Sequence, residues 1–491
     1  MRYLVTASEM RRFDENTIEK IGIPACVLME RAALAAAELT EARRDVRGGY
    51  VLVMCGMGNN GGDGLAVARL LAERNFRVEV WCVGNREKAS SQWKQQRSIL
   101  EKYPVEFTDR PRRGDYEAMI DALFGVGLSR EVEHEFAEAV TLFNSLEGWK
   151  LALDIPSGIH SDTGRVLGCA VRADMTVTFG FCKRGLIFYP GCEYAGEVKT
   201  ADIGISERSF YGREPEMYAY DEEAVSLLPK RHKEGNKGTF GKVLLIAGSL
   251  NMAGAAILAA RAAYRAGAGM VKVITCAGNR VILQQAVPEA LLGTPEELEG
   301  SMEWADVIAV GPGLGKSAEA LSCLEEVIYG SKLPLLADAD ALNLLAEQPE
   351  LRKALAKQGA AGRKIILTPH VGELARLAGQ SVSVCAEELL SYGIGLASEL
   401  HGVVTAKDAR TLICGEGHSV CVNLSGSNGM ATAGSGDVLA GITAALLGQG
   451  MDAFEAAAVG AYIHGRAGEK AVEKRGEYGC MAGDLTSQMR Y

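Results

Sequence analysis

The chain has 491 residues, 48% hydrophobic and 23% charged, enough for more than one core, so two domains are expected. A formal net charge of −10 argues against nucleic-acid or membrane-surface partners, which need a basic face, and favours a small-molecule ligand. No run of about 18 uncharged apolar residues occurs, the opening MRYLVTASEMRRFDE lacks a signal-peptide core, and the 12 cysteines show no C-x-x-C spacing, so a reducing cytoplasm is expected.

The apolar run Tyr50-Val-Leu-Val-Met-Cys55 reads as a strand and Leu65-Ala-Val-Ala-Arg-Leu-Leu71 as a helix, with GMGNNGGDG (56–64) between them. Five glycines in nine positions at such a junction suggest an anion cradle. Gly56 to Gly61 satisfies G-x-G-x-x-G, a dinucleotide signature that also expects an acid at the tip of the next strand. That strand, FRVEVWCV (76–83), ends in Cys-Val and carries its only acid, Glu79, in mid-strand, which disfavours an ordinary dehydrogenase. Further strand-like runs, EAMIDALFG (117–125), KLALDIPSG (150–158) and DMTVTFG (174–180), complete the βαβ rhythm of a parallel sheet with helices on both faces. Asp121, Asp154 and Ser157 fall at strand ends, where open α/β sheets bind ligand. Asn60, Asp121 and Ser157 offer hard oxygens to a cation, leaving Asp154 for proton work.

The rhythm breaks between residues 205 and 240, and the domain junction is placed around Tyr211 to Tyr220. A second α/β series starts with GKVLLIAGS (241–249), followed by an Ala-rich packing helix over Ala253 to Ala268 with Arg261 and Arg265 on a wet edge. VGPGLGKS (310–317) is one residue too short between Gly311 and Gly315 for a Walker loop; a close ligand approach at Gly313 or a plain turn remains. ADADALN places Asp338, Asp340 and Asn343 at a strand end. TPHVGEL supplies His370 and Glu373, and a capping box led by Thr368 fails because Val371 stands where Glu is needed. AKDART puts Lys407 and Arg410 in a turn that is either solvated or beside a nucleotide. NGMATAGSGDVLAGITAALLG (428–448) places Gly434-Ser-Gly-Asp437 at a helix start, where N–H groups attract phosphate. The positive helix end is expected to keep Asp437 ionised and able to act as a base. Neither H-E-x-x-H nor G-x-S-x-G occurs, so zinc-protease and serine-hydrolase chemistry lack support.

GMGNNGGDG, DALFGVGL and DIPSG resemble the signature stretches of the NAD(P)H-hydrate epimerase domain over roughly residues 10–205. The resemblance implies substrate contacts from Asn59, Asn60, Gly61, Gly62 and Asp63, and from Gly125, Val126, Gly127, Leu128, Ser129, Arg130 and Glu131. It also implies a potassium ion on Asn60, Asp121 and Ser157, with Asp154 near the reacting carbon. From about residue 221 the chain resembles the ribokinase-like superfamily. Within it, GSLNMAGAA, GPGLG, TPHVGE and NGMATAGSGD are similar to the ADP-dependent NAD(P)H-hydrate dehydratase branch. This implies substrate contacts from Ala253, Gly313, His370 and Asp437, the last as catalytic base. ADP, with Mg²⁺, would lie against Lys407, Asp408, Ala409, Arg410 and Thr411, and against Asn428, Gly429, Met430, Ala431, Thr432, Ala433, Gly434, Ser435 and Gly436. Vitamin kinases of the superfamily tend to carry Asn at the place of His370, and Ala433 and Ser435 depart from the branch's commonest form, GGTGD.

The expected architecture is therefore a Rossmann-like three-layer domain over 1–210 followed by a ribokinase-like α/β domain over 221–491, fused rather than duplicated. The expected ligands are the hydrated cofactors NADHX and NADPHX with ADP, with no nucleic acid or membrane, in a homo-oligomer. A vitamin-type kinase with a regulatory domain and a non-enzymatic binding module are the alternatives.

Overall fold

Uninterrupted aliphatic runs become strands buried on both faces, the pattern of a parallel sheet covered by helices. In the computed structural model, which describes residues 1–43 and 49–489, they divide between two units, Arg2–Glu216 and a second beginning at Met217. The first unit contains β1 (Arg2–Val5), β2 (Tyr50–Cys55), β3 (Arg77–Cys82), β4 (Glu106–Thr108), β5 (Asp115–Ala122), β6 (Glu147–Leu153), β7 (Met175–Phe179), β8 (Cys182–Lys183) and β9 (Glu197–Ala201). Seven of them form a parallel sheet in the order β4-β3-β2-β5-β6-β7-β9. The strand order reverses direction at β2, so a crevice opens beyond the carboxyl ends of β2 and β5. β1 and β8 pair in parallel outside these seven strands, with Val5 facing Lys183.

The helix Asn59–Glu73 starts directly after β2 and buries Leu65, Ala66, Val67, Ala68, Leu70 and Leu71 against the sheet. Its first turn needs glycine: a methyl on Gly61 would lie 1.9 Å from the Gly56 carbonyl oxygen. Glu79 is buried in β3 and is satisfied by the Arg112 N–H at 3.0 Å and the Tyr116 hydroxyl at 2.8 Å. It is a structural acid, remote from any ribose role.

The second unit contains β10 (Met217–Ala219), β11 (Lys242–Ile246), β12 (Met270–Ile274), β13 (Leu291–Gly293), β14 (Val307–Val310), β15 (Leu335–Ala337), β16 (Ile365–Leu367), β17 (Val403–Ala406), β18 (Thr411–Gly415) and β19 (Val420–Asn423). Their order is β13-β12-β11-β14-β15-β16-β17-β18-β19-β10. From β13 to β17 all pairings are parallel, whereas β17-β18 and β18-β19 are antiparallel. The stretch HGVVTAKDARTLIC (401–414) is thus a hairpin, and β10 lies inside the stretch 205–240 where the rhythm breaks. The Ala-rich helix runs from Ala253 to Arg265 and packs on the helix Ser435–Gly448 in the core, with Arg261 and Arg265 exposed. It stops short of Ala268 because Gly267 has φ +101°.

Candidate functional site

In the first unit a cavity of about 770 Å³ lies at the reversal point of the sheet. The helix Asn59–Glu73 begins beside it with Gly58 as an extended N-cap that makes no side-chain cap bond, leaving first-turn N–H groups for an anion. Asn59, Asn60, Asp63, Asp154 and the loop Gly125, Val126, Gly127, Leu128, Ser129 and Arg130 line the cavity. Gly61, Gly62 and Glu131 do not. Gly61 packs on backbone instead, Gly62 against Met29 and Glu131 beside Gly168.

Beneath the crevice, Asp121 is fully buried. Its Oδ1 accepts the Ser157 hydroxyl at 2.6 Å and the Leu123 N–H at 3.2 Å, and its Oδ2 the Ser157 N–H at 2.8 Å. Burial pushes the Asp121 carboxyl up to about 6, against these hydrogen bonds. The Asn60 amide donates to the Phe124 carbonyl at 3.0 Å, and the Phe124 N–H donates to Ser157 Oγ at 2.8 Å. One network therefore joins Asn60, Asp121 and Ser157.

Asp154 follows β6 in a left-handed conformation, φ +68°. Two cavity residues escaped the sequence reading: Lys183, whose Nζ lies 2.5 Å from Asp154 Oδ1, and Asp14 on the helix Ala7–Glu15. Burial, with Asp154 and Asp14 nearby, holds the Asp63 carboxyl well above the ordinary range, while Lys183 pulls the other way. Burial also raises Asp14.

In the second unit the sheet order reverses between β11 and β14, and the loops leaving these strands meet there: Gly248 N–H donates to the Pro312 carbonyl at 2.9 Å and Ser249 N–H to the Gly313 carbonyl at 2.6 Å. This brings Met252 and Ala255, the residues flanking Ala253 and Gly254 at the start of that helix, against Gly313. Past β15, β16 and β17 stand Asp338, His370 and Lys407; Lys407 Nζ donates to Asp338 Oδ1 at 2.7 Å, and the Lys407 N–H to the Pro369 carbonyl at 2.8 Å. Asp340 and Asn343 have other work: Asp340 accepts the Gly315 N–H at 2.8 Å, and Asn343 the Arg376 guanidinium at 2.6 Å.

Gly434, φ +91°, caps the helix Ser435–Gly448, whose first turn contains Gly436 and Asp437. Gly436 sits against Lys407, since a methyl there would lie 3.3 Å from its Nζ. Ser435 Oγ pairs with His464 Nε2 at 3.2 Å, a contact with no local sequence signal. The flanking Asn428, Gly429 and Met430 form a short 3-10 turn, and Ala431, Thr432 and Ala433 lead from it into the cap. Beyond Lys407 the β17-β18 turn exposes Asp408 and Ala409; Thr411 Oγ1 donates to the Asp408 carbonyl at 3.1 Å, and Arg410 donates to the Ala409 carbonyl at 3.2 Å.

Two expectations are corrected here. The helix end does not dominate at Asp437: burial, then the Asp338 carboxylate, pushes its carboxyl up to about 6, with Lys407 opposing. A capping box does exist at TPHVGEL, led by His370 rather than Thr368. His370 Nδ1 accepts from the N–H groups of Gly372 (2.9 Å) and Glu373 (3.3 Å), and Glu373 accepts the His370 N–H at 2.9 Å. Burial and then Lys407 lower the His370 pKa, consistent with the neutral ring this cap requires, while burial pushes Glu373 up to about 7.

Two α/β units, each with an open helix N-terminus beside a carboxylate largely withdrawn from water, define an enzyme of the nucleotide-binding class. The family described as NAD(P)H-hydrate dehydratase matches residues 243–490, and that described as YjeF-related protein N-terminus matches residues 25–185. The bifunctional NAD(P)H-hydrate repair enzyme Nnr of Moorella thermoacetica is 36% identical over 518 residues, covering 100% of this chain and 96% of that protein. Its namesake in Coxiella burnetii is 37% identical over 496 residues, covering 100% and 99%. A ribokinase-like superfamily protein of Enterococcus faecalis of known structure superposes with a TM-score of 0.50 at 28% identity, covering 56% of this chain and 94% of that one. The chain belongs to the bifunctional NAD(P)H-hydrate repair enzymes, with an epimerase and a dehydratase activity. Among the described residues no helix is long and apolar enough to cross a membrane.

Proposed function

We propose that residues 1–210 interconvert R- and S-NAD(P)HX, and that residues 221–491 dehydrate the S form with consumption of ADP, giving NAD(P)H, AMP and phosphate. The observation that carries this reading is Asp437: a half-buried carboxylate in the first turn of a glycine-opened helix, facing the Lys407–Asp338 pair. Such a carboxylate takes the proton from the C6 hydroxyl as its oxygen attacks the β-phosphorus of ADP and AMP leaves. The N1 lone pair then expels phosphate from C6, and loss of a proton from C5 restores the C5=C6 bond. The N–H groups of residues 433–436 and the Lys407 ammonium offset charge on the transferred phosphoryl group, with Mg²⁺ carried on the nucleotide phosphates.

For epimerisation, protonation of the C6 hydroxyl lets it leave as water while N1=C6 forms. Water returning to either face of C6 and losing a proton restores the hydrate, with the Asp154 carboxylate offsetting the positive ring. Asn60, Asp121 and Ser157 would hold K⁺. A buried carboxylate beside a hydroxyl, an amide and the Phe124 carbonyl suits a singly charged hard cation, which would supply positive charge under the dinucleotide. None of the twelve cysteines is joined in a disulfide, which supports a reducing cytoplasm, and exposed Leu250, Val281 and Ile282 support a homo-oligomer, measurable by light scattering.

Pure R and pure S hydrates separate the activities. Asp437→Asn should stop NADH recovery from S hydrate while R/S exchange continues, and Asp154→Asn should do the reverse. Loss of both activities in either variant would overturn the division of labour.

A further inference from the structure

Among the described residues, three hydrogen bonds reach the Asp154 carboxylate, and all fall on one oxygen. Oδ1 accepts from Lys183 Nζ at 2.5 Å, from the Phe179 N–H at 3.1 Å and from Thr178 Oγ1 at 3.3 Å. Oδ2 takes none of them, and Asp154 lines the cavity. Lys183 is itself only 1% exposed, and its ammonium has a second fixed partner, the Phe179 carbonyl at 2.7 Å. The backbone beneath it is pinned by β1 through the Val5–Lys183 register. A lysine is rarely buried this deeply without a specific partner, and here the partner is the carboxylate to which proton work is assigned.

The surroundings sharpen the point. Two more carboxylates line the same cavity, Asp14 from the helix Ala7–Glu15 and Asp63 from the helix Asn59–Glu73, while Arg11, Lys88 and Arg130 supply cations on its wall. Among the described residues the cation bonded to Asp154 is Lys183, not one of these three. Three carboxylates gathered around one cavity repel one another, and the ammonium fixed on Asp154 offsets that repulsion where it is bonded.

We infer that Lys183 is a positioning residue of the epimerase: its ammonium locks Asp154 through Oδ1 and leaves Oδ2 as the oxygen presented to substrate. This rests on the role proposed above for Asp154. Burial raises the carboxyls of Asp14 and Asp63, the other two acids on the cavity wall.

The test uses the full chain with Lys183→Met, Lys183→Arg and Asp154→Asn. R/S exchange is followed by chromatography with kcat and KM separated, and circular dichroism with cooperative thermal unfolding of the full chain serves as the check on folding. Lys183→Met should slow exchange at neutral pH by about a hundredfold, mainly through kcat, the scale of a misplaced acid–base group. Lys183→Arg, which keeps the charge, should recover at least about tenfold of that loss. Exchange within about threefold of the parent in Lys183→Met, or a loss confined to KM, overturns the assignment while leaving that of Asp154 intact. Should Lys183→Met fail to fold, the arginine variant decides alone, and exchange in it more than about tenfold below the parent overturns the proposal. If Asp154→Asn exchanges like the parent, the reading of Asp154 itself falls, independently of Lys183.

Discussion

Lowering the pH from 7 to 5 should cost the dehydratase most of its rate, by an amount the environment of Asp437 fixes. Its carboxyl is pushed up to about 6 by burial and then by Asp338, with Lys407 opposing. A base must be ionised to accept the hydroxyl proton, so the working fraction is about nine-tenths at pH 7 and about one-tenth at pH 5, a ninefold to tenfold loss. An ordinary Asp near 3.9 would lose less than about a tenth of its ionised form over the same interval. The sign follows from the cause: burial disfavours charge, so the acid limb moves upward. The assay is the return of reduced-nicotinamide absorbance from pure S hydrate at saturating ADP and Mg²⁺. Glu373, pushed up to about 7 by burial, titrates in the same window, so Glu373→Gln should be measured alongside and should keep the limb near 6. Asp437→Asn should lower the rate by about 10² to 10⁴ and remove the limb. A parent profile flat between pH 5 and 7, or an Asn variant that still shows the limb, would refute the assignment of Asp437 as the base.

Asp121→Ala removes the only carboxylate from the Asn60–Asp121–Ser157 network, so the potassium dependence of R/S exchange should weaken while dehydration of S hydrate hardly changes; superimposable potassium titrations of variant and parent would contradict the ion site. Gly441→Ala places a methyl 2.2 Å from the Ala259 carbonyl where the helices Ser435–Gly448 and Ala253–Arg265 cross. It should lower stability by roughly 1–3 kcal/mol, read by urea denaturation.

Both sheets were legible because parallel strands are buried on two faces and therefore spell aliphatic runs; YVLVMC became β2 and KVLLI became β11. Asn60, Asp121 and Ser157 could be grouped because each lies at a strand end or first helical turn, which topology sends to one edge. Lys183 and Asp14 could not: nothing in CKRG or RRFDE marks a residue that meets its partners only through the pairing of β1 with β8 and the docking of the helix Ala7–Glu15. The turn after β17 hid its hairpin because VVTA and TLICG are each short and apolar, with no period that separates antiparallel from parallel use. At His370 the box was sought two residues too early, at Thr368, since a histidine ring is an unusual N-cap. At Asp437 the helix end was visible in the sequence, but the burial that outweighs it was not.

The pairing of Arg2–Val5 with Cys182–Lys183 has a temporal side. Arg184 Nε donates to the Leu4 carbonyl at 3.3 Å, a contact closing 180 residues of chain. During synthesis at roughly 5–20 residues per second, the first strand leaves the ribosome about 10 to 35 s before its partner exists. Throughout that interval its N–H and C=O groups have no strand to pair with, and the Lys183 contact to Asp154 has yet to form. The glycine turn at residues 56–64 can fold early on local contacts, whereas the charged pair beside it must wait for the far end of the unit. A slow step in acquiring epimerase activity, later than the first appearance of helical signal, is the kinetic mark of a site whose last piece is among the earliest made.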